Sequence, residues 1–189
     1  SARVTELDGK RLAYVHVWSY AGEEVQATLE ELLLDGELAD ADALVLDLRD
    51  GLGGANPDAL TLFALDVPEL EWRARDGSVQ RMTSAWRKPV VLLIDEHTTS
   101  GKEILARAFQ RAARGPIVGA RSAGAVVGGS AFLLGDGSLL YLAVRDLTVD
   151  GERLEGVGVA PDVPVEFARE AGGADEPLAR ALAELCARL

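Results

Sequence analysis

Cysteine and lysine are scarce in this sequence, and basic residues are outnumbered by acidic ones. Cys186 is the only cysteine among 189 residues, which excludes an intramolecular disulfide and a cysteine-based zinc site. The only lysines are Lys10, Lys88 and Lys102, and the formal net charge is -12. Because a nucleic-acid surface needs clustered Lys and Arg to neutralise phosphates, we expect no nucleic-acid partner.

Long apolar runs are also missing. No stretch approaches the roughly 18 apolar residues of a membrane span, and the first residues lack the basic and apolar regions of a signal peptide. The chain opens directly into polar residues and a strand, as expected of a mature fragment or an excised piece. Its apolar content is 48%, enough for one domain over residues 1–189 that buries roughly 70% of its unfolded surface.

Apolar segments of strand length alternate with segments of helical spacing. Residues 43–48 (ALVLDL) and 89–94 (PVVLLI) are continuous apolar runs, as expected of buried parallel strands. The first precedes a helix that Asn56 and Pro57 would open, and the second precedes a helix over residues 100–113. This order predicts an α/β fold with crossover helices between parallel strands.

Other elements are predicted around this centre. Alternating bulky residues predict a strand over residues 12–18, and helical spacing from Val25 predicts a helix that Gly36 closes. Asp-Gly pairs at residues 76–77 and 136–137 predict two β-hairpins. A final helix would carry an apolar stripe at positions 178, 182, 185 and 189.

A serine lies where the second buried strand gives way to its helix. Residues 95–103 read DEHTTSGKE and put Ser100 at the helix N-terminus. Free backbone N–H groups and the positive end of the helix dipole favour a developing anion at such a place. Ser100 and Glu103 also have the spacing of a capping box, a structural role that is compatible with catalysis.

A glycine-rich turn follows the first buried strand, in residues 47–54 (DLRDGLGG). Glycines after a strand let the backbone approach a ligand closely and point N–H groups at it, which suits an oxyanion hole or an anion site. The turn is not a P-loop, because no Gly-Lys-Ser/Thr follows. A turn without a function is the alternative interpretation.

Together the two segments resemble the C-terminal processing (tail-specific) serine peptidases. That family carries a strand ending in Asp-Leu-Arg-Gly-Asn-Pro-Gly-Gly, followed further along by Asn-Glu-Gly-Ser-Ala-Ser-Ala-Ser-Glu, whose sixth residue is the nucleophile. Residues 119–125 (GARSAGA) and 155–163 (EGVGVAPDV) resemble two later segments of the same family. The resemblance runs in order through residues 12–166.

The resemblance implies both a fold and a chemistry. The fold would be a ClpP/crotonase-like core with stacked parallel strands, crossover helices and added β-hairpins. The chemistry would be peptide-bond cleavage through an acyl-enzyme on Ser100, with the oxyanion held by the backbone amides of Gly54 and Gly101. Losing one such donor typically costs about 3 kcal/mol of transition-state stabilisation.

The general base departs from the pattern of the best-known members. Their Ser–Lys dyad needs a lysine at the position of Ala125, and an aspartate of some members is replaced by Arg111. The tricorn-like branch, which the chain resembles more closely, uses a histidine from a preceding helical domain and a glutamate near the end of the core. Glu155 stands where that glutamate is expected, and a surface carboxylate beside a turn is its alternative role.

Two histidines and a lysine are the local candidates for the base. His97 lies three residues before Ser100, and His16 lies in the first predicted strand. We expect the ammonium of Lys102 to project into water as a solvated charge. The predicted catalytic set is therefore Ser100, His97 and Glu155, with no metal and no cofactor.

The resemblance also implies the surroundings of the core. The substrate would be a peptide or protein added as a strand beside the site. Full members carry a PDZ-like module and helices before this core, and these do not fit before Leu12, so we expect them in the parent protein. A homo-oligomer is a further expectation, as is a location in the bacterial periplasm or outside the cell rather than in the cytoplasm.

Two other functions are compatible with the same core. One is a non-catalytic peptide- or lipid-binding module, since the core also occurs in retinoid-carrying proteins; the missing lysine favours it, and Ser100 with both glycine elements opposes it. The other is an acyl-thioester enzyme of the crotonase type, which the gapless match of residues 95–103 opposes.

Overall fold

The computed structural model describes residues 1–54, 57–66, 70–82, 85–166 and 174–189. The strands in these ranges are β1 Ala2–Leu7, β2 Lys10–His16, β3 Ala43–Asp47, β4 Leu70–Arg73, β5 Val79–Met82, β6 Val90–Ile94, β7 Ile117–Gly119, β8 Val127–Leu133, β9 Leu139–Asp146, β10 Thr148–Val149, β11 Glu152–Arg153 and β12 Val163–Pro164. The α-helices are α1 Glu23–Glu30, α2 Gly101–Arg111 and α3 Glu176–Cys186. A π-helical turn, Glu31–Asp35, continues α1, and a 3₁₀ helix covers Pro57–Phe63.

The centre of the fold is a six-stranded sheet in the order β1-β2-β3-β6-β7-β12. β1 pairs antiparallel with β2, and every other pairing in the sheet is parallel. Helix α2 connects the neighbouring parallel strands β6 and β7, as a crossover helix does. The predicted α/β class with crossover connections is confirmed.

The two central strands are buried along their whole length. Alternate residues of β3 and β6 pack on one face with Leu105 and Phe109 of α2. The intervening residues pack on the other face with Ala181 and Leu185 of α3. Because both faces are covered, neither strand alternates apolar with polar residues, and each fully buried Leu or Phe contributes about 1.5–3 kcal/mol.

Several boundaries and one element differ from the sequence prediction. Strand β1 was not predicted, although the turn that joins it to β2, with Asp8 at φ 50 and Gly9 at φ 75, is an Asp-Gly hairpin signal. The first predicted strand begins at Lys10 and ends at His16, two residues before Trp18. The predicted N-cap at Asn56 lies outside the described residues. Both predicted hairpins are confirmed as β4–β5 and β8–β9.

The loops after β2, β3 and β6 meet at one edge of the sheet. Parallel neighbours end at the same edge, where α/β proteins gather their ligand-binding loops. A bridge between Ser19 and Leu52 links the first two of these loops, and the N–H of Leu48 donates to the carbonyl of Leu93 at 2.9 Å. None of the helices in the described ranges has the length and apolar character needed to cross a bilayer.

Candidate active site

Ser100 occupies a strained position immediately before α2. Its backbone has φ 57 and ψ -128, a combination that costs a non-glycine residue about 1–3 kcal/mol and that clusters at functional sites. The N–H of Ser100 donates to the carbonyl of Ala125 at 3.0 Å and to Oε2 of Glu103, also at 3.0 Å. The Glu103 half of the predicted capping box is present as this bond to the Ser100 N–H, and the N–H of Glu103 donates to the backbone carbonyl of Ser100 at 2.9 Å.

The glycine turn lies directly against the serine. A Cβ built on Gly53 would stand 2.5 Å from Cβ of Ser100, 2.7 Å from the carbonyl oxygen of Thr99 and 3.1 Å from the nitrogen of Gly101. Gly54 has φ 99, and a Cβ there would stand 2.7 Å from Cα of Ala21. Only glycine therefore fits at these two places.

The two amides predicted to bind an oxyanion have no acceptor within the described parts of the chain. Neither the N–H of Gly54 nor that of Gly101 donates to another described group. Gly101 is the first residue of α2, where backbone N–H groups have no partner in the helix. The turn and the helix N-terminus together offer donors beside Ser100.

Three hydrogen bonds hold the backbone of the glycine turn in place. The N–H of Leu52 donates to the carbonyl of Trp18 at 2.8 Å, and the N–H of Tyr20 donates to the carbonyl of Gly53 at 3.1 Å. The N–H of Asp50 donates to Oδ1 of Asp95 at 3.2 Å. The turn is thus joined to the loop after β2 and to the segment that leads to Ser100.

The prediction for Lys102 was wrong. This side chain is fully buried, and its Nζ donates to the carbonyls of Asp50 at 2.8 Å and Trp18 at 3.0 Å. Burial lowers the pKa of the ammonium to about 8, although the carboxylates of Asp47, Asp95 and Asp50 act to raise it. Helix position alone suggested solvent, but the first turn of α2 inserts between two loops that lie far away in sequence.

Glu103 is a buried carboxylate that accepts more hydrogen bonds than the predicted capping role requires. Its Oε1 accepts from the hydroxyl of Ser122 at 2.6 Å and from the N–H of Gly124 at 2.7 Å. Its Oε2 accepts from the N–H groups of Ser100 at 3.0 Å and Ala125 at 2.9 Å. Glu103 therefore joins the serine to residues 122–125. In the sequence, the glutamate at the end of the family motif is the signal that points to this residue.

Glu155 contacts the residue that follows the segment 122–125. Its Oε2 accepts from the N–H of Val126 at 2.5 Å. Val126 follows Ala125, whose carbonyl accepts from the N–H of Ser100. Two hydrogen bonds and one short backbone segment thus connect Glu155 with the serine, and the position that carries a lysine in the dyad members lies beside Ser100.

The two histidines are not joined to the serine. The ring of His97 is 55% exposed, and its Nε2 lies 3.7 Å from Oε1 of Glu96. His16 places Nε2 3.0 Å from the carbonyl oxygen of Arg49 and packs edge-on against Trp18. Neither ring has a hydrogen bond to Ser100 within the described residues.

The motif Asp47-Leu48-Arg49 forms a buried charged network at the edge of the sheet. The Arg49 guanidinium donates to Asp47 at 2.7 Å and to Asp175 at 2.8 Å, and Tyr14 donates its hydroxyl to Asp47 at 2.8 Å. Burial acts to lower the pKa of Arg49, but its hydrogen bonds with the two carboxylates raise it above the ordinary value. Asp175 is also the N-cap of α3, accepting from the N–H of Leu178. The network joins the start of α3 to the end of β3.

Comparison with known sequences identifies relatives of this chain. The sequence pattern of peptidase family S41 matches residues 11–165. The chain is 34% identical over 165 residues to the putative tricorn protease homolog 2 of Streptomyces coelicolor, covering 85% of this chain and 14% of that protein. It is 26% identical over 172 residues to the carboxy-terminal processing protease CtpA of Bacillus subtilis, covering 86% of this chain and 37% of that protein. The chain thus spans a minor part of each relative.

Solved structures support the same fold. A photosystem II D1 C-terminal processing protease superposes with a TM-score of 0.61 at 25% identity, covering 94% of this chain and 46% of that one. A tricorn protease superposes with a TM-score of 0.70 at 22% identity, covering 85% of this chain and 16% of that one. The predicted ClpP/crotonase-like core is confirmed.

Proposed function

The chain belongs to peptidase family S41, and on that premise we propose that it is a serine endopeptidase core that acts through Ser100. The observation that carries the proposal is the contact of a strained serine with a glycine turn, Gly53 against Ser100. This arrangement brings a hydroxyl and backbone amides to one place at the mouth of a helix. An acyl transfer needs both of them there.

The proposed reaction has two stages. Oγ of Ser100 attacks the carbonyl carbon of the scissile peptide, its proton passes to a base, and the carbonyl oxygen becomes negative between the amides of Gly54 and Gly101. The C–N bond then breaks as the leaving amine takes the proton, which leaves an ester on Ser100. Water cleaves the ester by the same steps and restores the hydroxyl.

Two sources of the base are open. One is His97, and the other is a histidine of the parent protein outside this chain, with Glu155 as its carboxylate partner. The exposed ring of His97 and its proximity to Glu96 favour the second source. If His97→Gln leaves the labelling rate of Ser100 in the parent protein unchanged, the base comes from outside; a loss of labelling with an intact fold assigns the base to His97.

The test of the nucleophile is covalent labelling. A fluorophosphonate probe, applied to this chain and to the full-length parent, is expected to give a mass adduct on Ser100 that Ser100→Ala abolishes. Ser138→Ala is the matched control, because the Ser138 hydroxyl bonds to Asp136 in an exposed turn. We expect slow labelling of the chain alone and faster labelling of the parent. A parent protein that never labels contradicts the proposal and favours the binding module.

We further propose that the substrate is a peptide or protein. We propose that the parent protein contains PDZ-like and helical domains, that it forms a homo-oligomer, and that it is located in the bacterial periplasm or outside the cell. The short coverage of the relatives supports the added domains. The hairpin β8–β9 supports a neighbouring domain or subunit that packs on it, because all eight residues of β9 are exposed although most of them are apolar. Size-exclusion chromatography of the parent, with light scattering, tests the assembly.

A further inference from the structure

One buried cation holds both loops that shape the oxyanion site. The carbonyl of Asp50 belongs to the glycine turn, and the carbonyl of Trp18 belongs to the loop after β2. Nζ of Lys102 donates to both, and the N–H of Leu52 donates to the same Trp18 carbonyl. The ammonium therefore lies where the two loops and the first turn of α2 converge.

The segment that this ammonium contacts has a backbone that needs support. Asp50 has φ 56 and Gly51 has φ 70, and a Cβ on Gly51 would stand 1.9 Å from the carbonyl oxygen of Trp18. A non-glycine residue in the left-handed region is held by its surroundings rather than by its own preference. Charge-assisted hydrogen bonds are roughly twice as strong as neutral ones, and Lys102 supplies one to the carbonyl of Asp50.

Lys102 does not serve as the base for Ser100. Its Nζ is directed at two carbonyl oxygens, which accept and cannot donate, so the nitrogen contributes N–H groups there. No hydrogen bond joins it to the serine in the described ranges. The C-terminal processing motif quoted above has serine rather than lysine at this position.

We propose that Lys102 is a positioning residue of the oxyanion site, which clamps the carbonyls of Trp18 and Asp50 so that the glycine turn stays against Ser100. The inference rests on the proposed function for its effect on catalysis. The effect of Lys102 on the mobility of the two loops can be measured without any reaction.

Lys88 provides a matched control. Its Nζ donates to the carbonyls of Ala39 at 2.5 Å and Ala41 at 2.7 Å, so it makes the same kind of contact in another loop. That loop precedes β3, and none of its hydrogen bonds in the described ranges reaches Ser100 or the glycine turn. Replacing Lys88 removes a comparable clamp without touching the site.

The experiment compares Lys102→Met and Lys88→Met with the wild type by two measurements. The first is the fluorophosphonate labelling of Ser100, separated into a maximal rate and a half-saturating probe concentration. The second is hydrogen exchange of peptides that cover residues 48–54 and 17–21. For Lys102→Met we expect a maximal rate 10- to 100-fold lower at a similar half-saturating concentration, because a misplaced donor acts on the transition state, and we expect faster exchange in both peptides.

Other outcomes separate the two ideas. If Lys102→Met labels and exchanges like the wild type, or if Lys88→Met shows the same losses, the clamp is overturned. If the wild type never labels, the proposed function is contradicted. The hydrogen-exchange comparison then still tests whether Lys102 holds the two loops in place. Should Lys102→Met not fold, Lys102→Gln, which retains a donor, is compared with Lys88→Gln by the same two measurements.

Discussion

Gly53 packs against Ser100 so closely that a methyl group on the glycine would stand 2.5 Å from Cβ of the serine. The contact joins the loop after β3 to the start of α2, two segments that the chain separates by more than forty residues. It couples the position of the nucleophile to that of the amides beside it. We expect a change that moves one of them to move the other.

Gly53→Ala is therefore expected to abolish most of the labelling of Ser100. The added Cβ would clash with Ser100 and with the Thr99 carbonyl, so the turn must shift, and loss of one oxyanion donor lowers the rate by about 100- to 1000-fold. Gly135→Ala is the control, because a Cβ there meets nothing within 4 Å. The measurement is the fluorophosphonate labelling rate, and equal rates for the two variants would contradict the assigned contact.

Glu103→Gln is expected to destabilise the fold around the serine. The carboxylate accepts from three backbone N–H groups and one hydroxyl, and an amide group would turn its own N–H groups toward some of these donors. A buried donor without an acceptor costs about 1–3 kcal/mol. Urea unfolding measures the loss, and Glu184→Gln, which removes an exposed pair with Arg180, should change stability by less than about 1 kcal/mol.

Arg49→Met is expected to lower the free energy of unfolding by about 3–5 kcal/mol, since it leaves the buried Asp47 carboxylate without its cation. The side chains of Arg49 and Asp47 are 9% and 2% exposed. Arg180→Met is the matched control on the surface. Urea denaturation of both variants checks the difference, and a loss no larger than that of the control would show that the pair contributes little.

Glu155→Gln separates the charge of this residue from its hydrogen bond. The amide oxygen can still accept from the N–H of Val126, so we expect an unchanged thermal midpoint. If Glu155 supports the base as the family resemblance implies, peptide cleavage by the parent protein should fall about 10-fold or more. Cleavage at the wild-type rate would reduce Glu155 to a structural role.

The Lys102 ammonium makes stability depend on pH. Its pKa is lowered from 10.5 to about 8, with burial as the main cause. Between these values the unfolded chain holds the proton and the native chain does not, so the free energy of unfolding rises with pH. As the pH falls through 8, that gain is lost. Urea unfolding across this interval should show the wild type gaining stability relative to Lys102→Met, and parallel profiles would contradict the shifted pKa.

Local patterns predicted the framework of this site. Continuous apolar runs identified β3 and β6 because both faces of those strands are buried, and the Asp-Gly pairs identified two hairpins because that dipeptide favours a tight turn. Ser100 and the glycine turn were found because a serine before a helix and glycines after a strand have local signatures. The Asp-Gly pair that joins β1 to β2 has the same signature, and it is the local pattern that indicates β1.

What the sequence determined by itself was the parallel sheet, its crossover helix and the two segments that meet at its edge, since each depends on neighbours within a few residues. Tertiary structure alone decided that Lys102 is buried against Trp18, 84 positions away, and that Arg49 is paired with Asp175, 126 positions away. The physical reason is that the cost of burying a charge is set by the groups that surround it. Those groups come together only when the chain folds.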